Sequence, residues 1–122
     1  MYGKILIFIC VAFLLCACSK DKIIYEPSDK IDPYTLYKEA MDSFEINDFV
    51  AANKKFSEAE INFSDPTLAA KSSIMSSFCL YSLNFFEEAE ESLNRYLKNY
   101  PGDKNVIYAN YLLAIVYFFL IK

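Results

Sequence analysis

Histidine and tryptophan are absent from this 122-residue chain, and glycine occurs only twice. Without histidine the sequence lacks the commonest general base and the commonest metal ligand, so the usual centre of acid–base and metal-dependent catalysis is gone. Scarce glycine tells against a sandwich or barrel, which needs many tight turns, and no long alternating strand is written anywhere. Clusters of lysine and arginine are also missing: 12 basic residues stand against 16 acidic ones, for a net charge of −4. Nucleic acid is therefore not an expected partner, because neutralising phosphates dominates that kind of binding. What is present is apolar and aromatic. Hydrophobic residues make up 55% of the chain, with 11 phenylalanines and 10 tyrosines, enough for one small helical core.

The residues that invite a catalytic reading lack the surroundings for it. Ser72, Ser73, Ser76 and Ser77 have no histidine to activate them and no glycine-flanked elbow, so they read as small helix-packing residues. Glu87, Glu88, Glu90 and Glu91 fall on a helical stretch without the loop carbonyls that complete an oxygen shell. They read as a solvated face favoured by the dipole at a helix start, with Glu91 and Arg95 spaced as an (i, i+4) pair. No catalytic residue, cofactor, metal or small-molecule substrate is expected.

The chain opens with Met1-Tyr2-Gly3-Lys4 and an apolar run from Ile5 to Leu15, the length of a signal peptide and too short to span a membrane. Leu15-Cys16-Ala17-Cys18 closes this run and resembles the lipobox of bacterial lipoproteins. The resemblance implies cleavage after residue 17, a thioether-linked diacylglycerol on Cys18 and acylation of the new amino terminus. Ser19 in the next position implies sorting to the outer membrane. Residues 1–17 are thus expected to be a lipoprotein signal peptide and 18–32, polar and broken by Pro27, a lipidated tether. An ordinary signal peptide or an uncleaved anchor is the alternative. Cys10 and Cys16 would leave with the leader, and Cys79 would remain as a buried small hydrophobe.

One stretch in the remainder is written twice. Asn47-Asp48-Phe49-Val50-Ala51-Ala52 returns 37 residues later as Asn84-Phe85-Phe86-Glu87-Glu88-Ala89, each copy a turn residue, an aromatic and an alanine at the start of a helix. The spacing predicts a first helix from about Tyr34 to Ile46, with Leu36, Tyr37, Ala40 and Phe44 on one face. A second follows from about Phe49 to Phe63 with Phe49, Ala52, Phe56, Ala59 and Phe63 inward, and a third from about Thr67 to Leu83 with Ala70, Ile74, Phe78 and Tyr81. The fourth shows Phe86, Ala89, Leu93, Tyr96, Leu97 and Tyr100 and stops at Pro101-Gly102. A fifth opens at Asp103-Lys104-Asn105. Asp32-Pro33 and Ser64-Asp65-Pro66 supply helix starts, and Asn47 and Asn84 supply turn residues that tolerate left-handed geometry. From Val106 to Ile121 no charge occurs; such a helix reaches about 24 Å, short of a ~30 Å hydrocarbon core. It is expected to be a repeat helix covered on several sides, with a spanning helix as the alternative. Phe118, Phe119, Leu120 and Ile121 would otherwise face water.

Period, alanine positions and closing prolines resemble the tetratricopeptide repeat, a bihelical unit of about 34 residues. Together with the lipobox, Leu36-Tyr37-Lys38-Glu39-Ala40, Arg95-Tyr96-Leu97 to Tyr100-Pro101, and Asn105-Val106-Ile107-Tyr108-Ala109-Asn110-Tyr111-Leu112, they resemble the BamD (ComL/YfiO-like) outer-membrane assembly lipoproteins. The resemblance implies an all-α helical-repeat solenoid over 33–122, with two full helix pairs and the first helix of a third. It implies incompleteness at the C-terminus, since family members carry more repeats. It implies a non-enzymatic scaffold held on the periplasmic face of the outer membrane by its lipid, with β-barrel assembly subunits and unfolded outer-membrane proteins as partners. Another periplasmic repeat lipoprotein, serving envelope or division complexes, is the alternative. In such arrays the first helix of each pair lines a concave groove, and Tyr37, Phe44, Phe78 and Tyr81 are the candidate rings to meet an extended peptide there. Tyr37 and Phe44 equally suit the core.

Overall fold

The computed structural model describes residues 32–121; the leader, Cys18 and the tether before Asp32 lie outside the described residues. Within them the chain is all-helical, with five helices and no strands: α1 (Pro33–Glu45), α2 (Phe49–Asn62), α3 (Pro66–Ser82), α4 (Phe86–Asn99) and α5 (Val106–Leu120). Each helix packs on its neighbour in sequence, and α3 also touches α5. That is the stacking of a helical repeat, in which every element finds its apolar partner close by in the chain.

The helices begin and end where local chemistry dictates. Asp32 accepts from the Thr35 amide at 3.1 Å ahead of Pro33, and Asp65 accepts from the Thr67 amide at 2.8 Å ahead of Pro66. Each carboxylate satisfies an amide that the first helical turn leaves without a partner. Asn47 (φ 61°) and Asn84 (φ 60°) both occupy the left-handed region. At the first, the Asp48 amide donates to Ser43 O at 2.9 Å and the Asn47 amide to Phe44 O at 3.0 Å. At the second, Phe85 donates to Leu80 O and Asn84 to Tyr81 O, both at 3.0 Å. The same carbonyl-capping turn is therefore built twice at an offset of 37 residues. The copies differ at the next helix start: Asp48 caps Ala51 at 3.1 Å, whereas Phe85 offers no side-chain bond and Glu87 and Glu88 complement the dipole of α4 instead.

Two buried clusters follow. Ala40, Ala52, Phe56 and Cys79 form one, edged by Tyr37, Met41, Phe44, Phe49 and Met75. The other gathers Ala70, Ile74, Ala89, Leu93, Tyr96, Ala109, Leu112, Leu113 and Val116. Four of the five serines of α3, Ser72, Ser73, Ser76 and Ser77, are buried and act as spacers between helices: Ser76 meets Ser57 at 2.9 Å and Asn53 at 2.6 Å on α2, and Ser77 meets Ser92 at 2.7 Å on α4. Small hydroxyls let α3 sit between two helices at close range while keeping polar atoms paired, Ser73 Oγ excepted.

At the α4–α5 corner, Tyr96 OH donates to Asp103, which also accepts from the Asn105 amide at 2.9 Å and its side-chain amide at 3.0 Å. Burial pushes the Asp103 carboxyl up, but these hydrogen bonds outweigh it and hold the group below its ordinary value. Gly102 is not in a left-handed conformation. The corner is set by Pro101 and this carboxylate clasp. No helix among the described residues is long and apolar enough to cross a membrane.

Candidate functional site

Opposite sides of α3 look into two different surfaces. On one, Phe44 of α1, Lys71, Ile74, Met75 and Phe78 of α3, and Lys104, Asn105 and Tyr108 from the start of α5 line a groove of about 430 Å³. The α-helical period explains the lining: residues 71, 74, 75 and 78 recur every three or four positions and so share one face. The groove therefore runs across the first helix of each pair.

Its floor is apolar, and two lysines, Lys71 and Lys104, join its lining. Phe44 and Phe78 meet with ring centroids 5.7 Å apart, and Phe78 continues to Tyr81 at 6.1 Å and Tyr81 to Phe86 at 6.2 Å. Lys71 is the one charged residue of α3, and its Nζ lies 5.1 Å from the centre of the Tyr37 ring. Lys104 stands on the α4–α5 side. Burial, with Tyr81 and Tyr111 nearby, raises the Tyr108 phenol above its ordinary value and keeps it a neutral hydrogen-bonding group.

Of the four rings singled out in the sequence, Phe44 and Phe78 line the groove and Tyr81 continues the ring series beside Phe78. Tyr37 stands apart, edge-on to Phe56 at 5.3 Å and Phe63 at 6.4 Å, where it closes the first helix pair and carries Lys71 on its face. Phe44 has both roles, packing also against Phe49 at 5.5 Å. Lys71, Met75, Lys104 and Tyr108 were not foreseen. A lone cation on an otherwise uncharged helix was the available signal for Lys71. Cys18 lies outside the described residues.

The other side is a polar cleft between α2 and α4, floored by Ser76 and Leu80. Glu60 of α2 accepts from Tyr100 OH at 3.0 Å and from Arg95 at 3.4 Å, so Arg95 reaches across helices to Glu60 and away from its expected partner Glu91. Two donors converge on Glu60, whose side chain is only 11% exposed, whereas Glu91 is solvated. Burial and then the Glu60 charge push the Tyr100 phenol up to about 12. Glu87, Glu88 and Glu91 are exposed, with Glu90 half-buried. Cys79 is sealed between α1, α2 and α3 and its thiol is pushed up to about 12 by burial, which suits packing and not nucleophilic chemistry.

A separate recess of about 440 Å³, between the start of α3 and the 99–104 turn, has Lys104 in common with the groove. Compared with known proteins, residues 29–122 match the model of the YfiO family, described as an outer membrane lipoprotein. No curated protein and no solved structure matches.

Proposed function

The chain belongs to the YfiO family of outer membrane lipoproteins, and from that premise we propose that it is a non-enzymatic scaffold of outer-membrane β-barrel assembly, anchored by lipid on the periplasmic face. In this reading residues 1–17 are removed, 18–32 form a tether and 33–122 the repeat domain. Cys18 carries the acyl chains. At roughly 0.8 kcal/mol per buried methylene, one chain binds marginally while two or more hold the protein on its membrane.

The observation that carries the reading is the groove across α1, α3 and α5. Its aromatic floor suits the apolar and aromatic side chains of an unfolded barrel strand, whose alternate residues point the same way in extended form. Lys71 and Lys104 favour segments that bring a carboxylate. Partner subunits would hold the same array by its remaining surfaces.

A photo-crosslinking side chain placed at Tyr108, in the native envelope, tests this directly. Barrel-assembly subunits and unfolded outer-membrane proteins are the expected adducts, with Lys71→Glu reducing the client adducts several-fold while helicity is unchanged. Adducts confined to division or cell-wall proteins would replace this function with another periplasmic scaffold role. For the anchor, mass spectrometry of the N-terminal peptide from the host should find residue 18 acylated; a bare Cys18 removes that part of the reading.

A further inference from the structure

The groove across α1, α3 and α5 has an apolar floor and two lysines in its lining, and no carboxylate lines it. Lys71 makes no salt bridge among the described residues; its Nζ rests over the Tyr37 ring instead. Such a lining suits an extended segment that carries large apolar residues at alternate positions and an acid beside them.

The chain itself contains one. In the stretch from Ser19 to Ile31, Ile23-Ile24-Tyr25 is the single run of large apolar residues, set among lysines, aspartates and serines and followed at once by Glu26 and Pro27. A tether that only spans solvent has no use for three such residues in a row. Ile23 and Tyr25 lie two positions apart and so share one side of an extended chain, and Pro27 biases Glu26 away from helix.

The path is short enough. The chain enters α1 at its N-cap Asp32, and Tyr37, beneath Lys71, lies four residues into the helix from Pro33, about 6 Å along its axis. Residues 27–31 reach as far as ~17 Å when extended, so Glu26 comes within range of Lys71. From Lys71 to Phe78 is seven residues of α3, about 10 Å, which three extended residues cover.

We propose that Ile23-Ile24-Tyr25-Glu26 docks in this groove as an intramolecular occupant, Tyr25 and Ile23 on the Ile74 and Phe78 floor and Glu26 against Lys71, and that an incoming segment has to displace it. The proposal rests on the groove being a peptide site and adds its regulation: the site is filled by the chain's own tether until a better-matched segment arrives. Docking also draws the groove toward the anchored end of the protein, since only four residues separate Cys18 from Ile23.

A benzophenone side chain in place of Tyr25, in the full chain in its native envelope, reads the contact by peptide mapping. Intramolecular links to residues 71–78 or 104–108 are expected. Lys71→Glu or Glu26→Lys alone should reduce them at least threefold, and the two together should restore most of the yield. Lys71 is exposed, so circular dichroism should be unchanged by its substitution. Ile23→Ser with Tyr25→Ser should raise at least threefold the yield of segments trapped by a photo-crosslinker at Tyr108. Links from position 25 to α2 or α4, links between two copies, a groove link indifferent to both charge variants, or no rise at Tyr108 would each overturn the proposal. Those results leave barrel-client adducts at Tyr108 standing, whereas adducts there confined to division proteins would remove the client assignment and leave the tether link in place.

Discussion

The two helix pairs share a register and differ in how they fill it. Opposite each other across the first pair, at the level one turn from its centre, stand Leu36 and Ala59; the same positions in the second pair are Ser73 and Tyr96. The hydrogen bond between Ser77 and Ser92 fixes this alignment, because stepping one turn back on α3 and one turn on along α4 arrives at Ser73 and Tyr96. All four residues are buried. A large residue has crossed from the first helix to the second while the seam kept its volume, which close packing requires. The exchange leaves Ser73 Oγ buried without a hydrogen-bond partner, and it places the Tyr96 hydroxyl where Asp103 can take its proton side. Filling the seam from the α4 side is thus what ties the second pair to α5.

The largest effect should come from emptying the aromatic seam. Phe56→Ala is expected to destabilise by about 3–5 kcal/mol, a cavity beneath Tyr37 and Phe44 that rigid helices cannot close, read as the shift in a urea midpoint. Transplanting the second pair's solution comes next. Ala59→Tyr alone should overpack the first pair by about 1–3 kcal/mol, and Leu36→Ser with Ala59→Tyr should recover most of that loss. A double variant no better than the single one would break the comparison.

Tyr96→Phe removes one hydroxyl from a carboxylate and should cost about 1.5–3 kcal/mol. It should also blunt the acid response. Asp103 titrates below its ordinary 3.8, so its contribution is complete above that value and is lost as pH falls through the lower folded-state value. The native chain should therefore lose stability more steeply on acidification than Tyr96→Phe. The smallest effects separate two serines of α3: Ser77→Ala should cost about 1 kcal/mol for the lost bond to Ser92, while Ser73→Ala should be neutral or slightly stabilising.

Much of the fold was legible in the chain because the information is local. Asn47 and Asn84 announced two left-handed turns, the prolines at 33, 66 and 101 marked helix boundaries, and alanines at helical spacing marked the seams. The family match spans most of the chain and agrees with the resemblance drawn from those residues. The groove was half legible. Phe44, Phe78 and Tyr81 sit on one face by periodicity, but Lys104 and Tyr108 join them only through the superhelical stacking of α5 on α3, which no local pattern encodes. Arg95 shows the same limit. Its sequence neighbour Glu91 was the expected partner, and the stack offered Glu60, 35 positions away and less solvated.

Cys79 gives the array a built-in clock. Sealed at the meeting of α1, α2 and α3 and reluctant to ionise, its sulphur can be alkylated only while those helices stand momentarily apart. Peptide-mapped labelling of that one sulphur in the folded chain would time the breathing of the first helix pair, and do so without a single substitution.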